Sequence, residues 1–488
     1  MKILIIGAGR IGESVASALL SEQNDITVID SDPERLRELQ DRLDLRGVVG
    51  SGVDPEVLAD AGARDTDLLI ACAARDETNL VACKLAQMMF SVPTRIARVR
   101  SSGFQEHHEL MGHDGFAVDQ IICPEASLTN YIGKLVEHPE ALQVREFAGG
   151  LACMVSVRAV AGAPLVNHNI AELAALVPGV AMRIVAIYRR LEEEADRFII
   201  CEANVRIQPG DEVFVLAARE HIPAVLHALH RRDPATARPV QRILIAGGGR
   251  VGLRLALQLS QSEQNYNVKV IESNPQRCVE LATILPAEVL VLQGDATDED
   301  LMEEEGIEDV DLFLAITSDD EDNIMASLLA KQMGATRVLA LINRRSYADL
   351  MHGTQIDIAL SPAQAMLGEL LAYVRQGDVQ AVHSVRRGVA EALEIVARGD
   401  RKTSRVVGRK VDAIRLPAEA HIGLVVRGLP ESHTVPADDD VADLPPPQVI
   451  IPNGDTVIES NDHVVIFLPR KRLIRDVEKL FRVSATFF

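Results

Sequence analysis

The glycine-rich hexapeptide Gly7-Ala8-Gly9-Arg10-Ile11-Gly12 is written a second time as Gly247-Gly248-Gly249-Arg250-Val251-Gly252. Each copy follows a short apolar run, Ile3 to Ile6 and Ile243 to Ala246, and each is followed by a second run ending in an acid, Asp30 and Glu272. This order of strand, glycine loop, helix, strand and acid is what a dinucleotide pocket requires. The first glycine permits a tight turn, the second lets the backbone approach a pyrophosphate, and the third lets helix and strand pack closely. The helix N-terminus offers free N–H groups and partial positive charge to the anion. The acid accepts from ribose hydroxyls and disfavours a 2′-phosphate, which favours NAD-type or ATP-type ligands over NADP.

A displacement from residue 7 to residue 247 is far too long for a solenoid repeat and means a duplicated multidomain unit. The correspondence extends past the glycines: Asp67-Leu68-Leu69-Ile70-Ala71 answers Asp311-Leu312-Phe313-Leu314-Ala315, and Asp76-Glu77-Thr78-Asn79 answers Asp320-Glu321-Asp322-Asn323. In the first unit the patterning predicts strands near 2–6, 25–30, 46–49, 66–71, 94–99 and 117–122, with helices near 10–21, 33–43, 54–62, 75–89 and 103–112. Alternating strand and helix implies right-handed crossovers and a doubly wound parallel sheet.

The expected fold class is therefore α/β, with two Rossmann domains, each followed by a small α+β module. The expected map is a nucleotide-binding domain over 1–123, a crossover helix over 124–140, a C-terminal module over 141–232, a second nucleotide domain over 241–360, a second crossover helix over 361–378 and a second module over 379–488. Both crossover helices begin with a proline, Pro124 and Pro362, whose missing N–H has no partner at a helix start anyway, and each is free to pack outside its own domain. Both modules are expected to end on a hairpin. The stretch from Leu429 to Pro452, with Asp438-Asp439-Asp440 and Pro445-Pro446-Pro447, reads as an acidic loop.

A net charge of −21 argues against nucleic acid and against direct binding to an anionic lipid surface. No apolar run approaches the roughly 18 residues needed to span a bilayer. Six cysteines without a Cys-x-x-Cys spacing read as small apolar residues, and no metal site or P-loop is expected. No concentrated set of His, Lys and carboxylate is present for hydride transfer, which argues against the alternative of an NAD-dependent oxidoreductase acting on a small metabolite.

The two crevices differ in their side chains. The candidate first-site contacts are Gly7 to Gly12, Asp30, Ser51, Ala73, Ala74 and Arg98; those of the second are Gly247 to Gly252, Glu272, Asp295, Ala296, Thr317 and Ser318. Arg10 and Arg250, on the first helical turns, are placed to lie along phosphates or to reach a neighbouring site. Arg98 falls at the carboxyl edge of the sheet, where ligands bind. Hydroxyls at Thr317 and Ser318, against Ala73 and Ala74, predict tighter binding in the second half.

With these residues in view, the chain resembles the TrkA family, the cytosolic nucleotide-binding subunit of bacterial Trk potassium-uptake systems. The resemblance is carried by Met1 through Gly12, Asn24 through Asp30, Leu36 through Asp41, Asp76 through Asn79, Ile96 through Ser101, Asp320 through Met325 and Ser404 through Arg409. It implies a regulatory subunit of the RCK type, not an enzyme, with NAD(H), ATP or ADP as regulatory ligands. It further implies homo-oligomers, dimer or tetramer, that form a ring. That ring would dock on the inner face of the cell membrane against an integral potassium-translocating subunit resembling TrkH or TrkG. The family usually carries a hydroxyl residue where Ala73 stands.

Overall fold

The computed structural model describes residues 1–483 apart from 21, 23, 190–196, 200, 231–238, 345–346, 348–349, 352–354, 376–377, 386–388 and 430–445. The acidic stretch at 438–440 lies outside the described residues.

Each half opens with a six-stranded parallel sheet in the order third, second, first, fourth, fifth, sixth. The first strand, Lys2–Ile6, pairs with Asp25–Asp30 on one side and Leu68–Ala71 on the other; Arg242–Ala246 pairs likewise with Asn267–Glu272 and Leu312–Ala315. These central strands are apolar on both faces because helices cover both, and Leu4, Ile5, Leu69 and Ile70 are fully buried. The glycine loops therefore emerge at the carboxyl edge where the strand order reverses, the position at which open α/β sheets bind ligands.

Several of the expected elements are shorter than their patterning indicated, two of them markedly. The sixth strand spans only Gln120–Ile122, since Ala117 has a left-handed φ of 55° that no strand accommodates. The helix expected over 103–112 divides into Ser102–Glu106 and a 3-10 turn at His108–Met111, between which His107 leaves helical geometry.

The crossover helices exchange partners. Pro124–Glu137 buries Leu128, Ile132 and Leu135 in one core with Leu255, Ala256 and Leu259 of the second half's first helix, Arg250–Ser260. Reciprocally, Pro362–Val374 places Met366, Leu370 and Leu371 against Val15 and Leu19 of Arg10–Leu20. The two crossover helices also touch each other, Ser127 Oγ donating to Glu369 Oε1 at 2.6 Å. Burying apolar area at roughly 25 cal/mol per Å2 makes this exchange a major source of cohesion between the halves.

Each C-terminal module is a five-stranded antiparallel sheet. Contrary to the hairpin expectation, the last strand of each, Glu212–Ala218 and His463–Leu468, lies in the middle of its sheet, flanked by Ala152–Arg158 and Met182–Arg189 in the first and by Ala390–Val396 and His421–Arg427 in the second. All seven residues of Glu212–Ala218 are buried, which suits a central strand and not an edge. The two modules pack together through Phe147, Phe214 and Leu216 of the first and Leu424, Val465 and Phe467 of the second. No helix among the described residues is long and apolar enough to cross a membrane.

Candidate nucleotide-binding site

Gly7 and Gly247 hold φ of 102° and 111°, conformations only glycine adopts cheaply. A Cβ at Gly12 would lie 1.8 Å from the carbonyl oxygen of Gly7, and one at Gly252 would lie 2.0 Å from that of Gly247. The third glycine of each motif is thus required by packing. Gly9 and Gly249 meet nothing within 4 Å, so the space above the second glycine is open for a ligand.

The two acids are engaged by backbone N–H groups. Asp30 accepts from Ala8 N at 2.6 Å and from Asp32 N at 2.9 Å; Glu272 accepts from Gly248 N at 2.9 Å and Asn274 N at 2.8 Å. Each carboxylate ties the glycine loop to the end of the second strand.

Sequence reasoning missed the role of the repeated Asp-Glu-x-Asn segment. Asn79 accepts from Ala73 N at 2.8 Å and donates to Arg98 O at 2.8 Å, and Asn323 does the same with Thr317 N and Leu341 O at 2.8 and 2.9 Å. Asp76 accepts from the backbone of Arg100 and Ser101, and Asp320 from that of Asn343 and Arg344. These buried side chains hold the loops after the fourth and fifth strands at the crevice floor. Their matching spacing in both halves was the available signal.

One cavity of about 760 Å3 runs between the two halves. Of the expected first-site residues, Gly7, Gly9, Arg10, Ile11, Asp30, Ser51, Ala73, Ala74 and Arg98 line it, whereas Ala8 and Gly12 lie behind. From the second half Gly249, Arg250, Val251, Thr317 and Ser318 reach the same space. Gly247, Gly248, Gly252, Glu272, Asp295 and Ala296 do not. The second site's hydroxyl and acid are moreover engaged within their own loops. Thr317 Oγ1 lies 2.8 Å from Asn323 Oδ1, and Asp295 accepts from Thr297 N and Oγ1 at 2.9 and 2.8 Å. Those Thr297 bonds hold the Asp295 carboxyl below its ordinary range.

Pattern reading also omitted Ser31, Arg35, Arg75 and Glu125, all of which line the cavity. Glu125, on the first turn of the crossover helix, pairs with Arg98 at 3.1 Å. Five arginines (10, 35, 75, 98 and 250) and two carboxylates (30 and 125) face the space. Burial pushes the Cys72 thiol up to about 12, so this lining sulfur offers no thiolate. The volume, the open second glycine and the arginine-rich wall fit a phosphorylated nucleoside.

Residues 3–124 and 243–362 match the TrkA-N domain model, and 154–230 match the TrkA-C domain model. The chain is 48% identical over 488 residues to the Trk system potassium uptake protein TrkA of Halomonas elongata and 44% identical to that of Vibrio alginolyticus, with all of each chain covered. Among solved structures it is similar in fold to the GsuK channel (TM-score 0.59, 16% identity, 99% of this chain and 79% of that one). It is equally similar to the GsuK channel bound to NAD (TM-score 0.58, 16% identity, 98% and 78%). Two parallel six-stranded sheets, each followed by an antiparallel module, and full-length identity of 44–48% with potassium uptake proteins set this chain among them and apart from enzymes. It belongs to the TrkA family of Trk system potassium uptake proteins.

Proposed function

We propose that this chain is the nucleotide-sensing gating subunit of a potassium-uptake system. NAD(H), ATP or ADP enters the crevices, and occupancy changes how the two halves sit against each other. That change is passed to an integral membrane subunit resembling TrkH or TrkG, on whose cytoplasmic side several copies of the chain assemble as a ring.

The observation that carries this reading is the shared cavity. Glycine loops from both halves line one space, so a ligand seated there contacts both and has different affinity for different relative positions of the halves. A ligand shifts a conformational equilibrium only through such a difference. The GsuK channel structure bound to NAD supports the choice of ligand by analogy of fold. Unequal crevices let two nucleotides push in opposite directions, ATP toward the conducting state and NADH or ADP away from it.

The test is potassium flux in vesicles carrying the membrane subunit with this chain bound. Flux that responds differently to ATP, ADP and NADH supports the reading; identical flux under all three, or no co-purification of the two proteins, ends it.

A further inference from the structure

We infer that a basic loop and the last helix of the second C-terminal module form a docking face for another copy of this chain. The surface it takes is the acidic side of that copy's second nucleotide domain. The inference rests on the ring proposed above and names one of its contacts.

The two modules differ in charge where their folds agree. Between Ala152–Arg158 and Met182–Arg189 of the first module, residues 159–181 hold no Lys or Arg. The counterpart between Ala390–Val396 and His421–Arg427, residues 397–420, holds seven. In this second stretch Val406, Val407 and Ile414 are buried in the core behind the sheet. Gly408 N donates to Ile458 O at 2.8 Å and Val411 N to Thr456 O at 2.9 Å, which pins the loop further. A fixed loop therefore presents its cations outward: Arg401, Arg405, Arg409 and Arg415 are exposed and have no ion-pair partner among the described residues. The last helix, Ile474–Phe481, buries Ile474, Val477 and Phe481 in the same core, and it and the preceding turn expose Lys479 and Arg472. A Cβ at Gly399 would lie 3.2 Å from Val483 Cγ1, so the basic loop and the end of this helix are neighbours. The result is a cationic face on a chain whose net charge is −21.

Its complement stands in the second nucleotide domain. Between Arg277 and Lys331 the sequence holds sixteen Asp and Glu and no Lys or Arg, whereas the matching stretch of the first half holds Arg42, Arg46, Arg64 and Arg75. Here the helix Glu299–Glu304 and the turn Ile307–Asp309 bury Met302 and Ile307, which turns Glu299, Asp300, Glu303, Glu304 and Glu308 to the surface. None of these five has an ion-pair partner among the described residues. The basic loop is anchored in the core that joins the first nucleotide domain to the second module, and the acidic helix in a core of the second nucleotide domain alone.

A face of one sign carries its own repulsion, and a facing surface of opposite sign relieves it. Single exposed ion pairs contribute little, so the two fields steer and register the contact and no one pair holds it. An anionic membrane would attract the basic face but leave the second domain's acids as they are; a second copy serves both. Joining a face to an unlike face, head to tail, is the contact that closes rings.

The full-length chain tests this in two ways. Zero-length carbodiimide coupling of mixed isotopically light and heavy chains is expected to join Lys402 or Lys479 to a carboxylate within 299–308 in light–heavy pairs. The pairs should vanish in about 1 M KCl, where the screening length falls to about 3 Å. In sedimentation, Arg405→Glu with Arg409→Glu is expected to weaken self-association by about tenfold or more, as is Glu303→Lys with Glu304→Lys. All four changes together should recover most of the loss, because the two faces are then exchanged in sign. Absence of light–heavy pairs between these segments in the parent chain, or reversal of either face without effect on association, overturns the docking face. If the arginine reversals spare association but abolish sedimentation with phosphatidylglycerol vesicles, the face serves lipid and the inference is wrong. Potassium flux that still responds to nucleotides in either case leaves the sensing reading standing. Flux that ignores nucleotides while the light–heavy pairs form ends that reading and keeps the contact.

Discussion

Arg375, at the end of the second crossover helix, is ion-paired to Glu22 of the first nucleotide domain, joining parts of the chain more than three hundred residues apart. Its other nitrogen donates to Glu391 of the last module at 2.7 Å, and its own side chain is only 4% exposed. Burial pushes the Glu391 carboxyl up, while Arg375 and Lys471 pull it back toward the ionised form. Removing the arginine leaves two largely buried carboxylates with only Lys471, 3.7 Å from each, to offset them. Arg375→Ala should therefore destabilise the chain by about 3–5 kcal/mol, whereas Glu22→Gln, which keeps a neutral acceptor, should cost much less. Denaturant unfolding of both variants checks the order.

The functions of the second and third glycines of the motif separate by mutation. A methyl at Gly12 collides with the Gly7 carbonyl, so Gly12→Ala should lower the unfolding midpoint and nucleotide affinity together. At Gly9 the same methyl meets nothing in the protein, so Gly9→Ala should leave stability within about 0.5 kcal/mol while weakening nucleotide binding. Loss of stability at Gly9 equal to that at Gly12 would show that the second glycine serves the fold instead of a ligand.

How much of this was legible in the residues depends on range. The glycines, the acids and the first-strand register are local and periodic, and they appear in the chain order that the fold uses. Docking of Leu128 and Ile132 on Leu255 and Leu259 was not legible, because an amphipathic helix announces a buried face without naming what buries it. The central position of Glu212–Ala218 was missed for a related reason: a turn at Pro209-Gly210-Asp211 marks a strand start but not its neighbours in the sheet. Glu125 was readable in principle. It directly follows Pro124, the helix-starting proline, and its counterpart after Pro362 is Ala363, a difference that a scan of one half cannot reveal.

The ranking of the two crevices can be tested directly. Counting hydroxyls favoured the second, but Thr317 is engaged with Asn323, Glu272 lies outside the shared cavity and Asp30 lies within it. We therefore expect Asp30→Ala to weaken ADP or NADH binding to the full chain by about tenfold or more, as loss of a charged acceptor would. Glu272→Ala should weaken it less. A larger loss at Glu272, measured by calorimetry under the same salt, would restore the order that the hydroxyls predict.

Acid should loosen the contact between the two C-terminal modules through His383. This ring is buried against Phe147, its centroid 4.9 Å away, and its Nε2 lies 2.7 Å from the Glu146 carbonyl oxygen. Burial, reinforced by the nearby Arg145, pushes the imidazole down to about 3. In the unfolded chain the same ring takes up its proton near an ordinary value of about 6.5. The His383 contribution to stability is therefore fully present above that value. It is lost as pH falls toward 3, because the unfolded state alone binds the extra proton, at up to about 1.4 kcal/mol per pH unit. His421 and His138, whose values burial also lowers, act in the same direction, so the parent chain keeps some acid sensitivity after any one substitution. His383→Gln retains a donor for Glu146 but cannot titrate. Its denaturation midpoint should fall less steeply than the parent's between about pH 6.5 and 5, and parallel curves for the two proteins would remove His383 from the acid response.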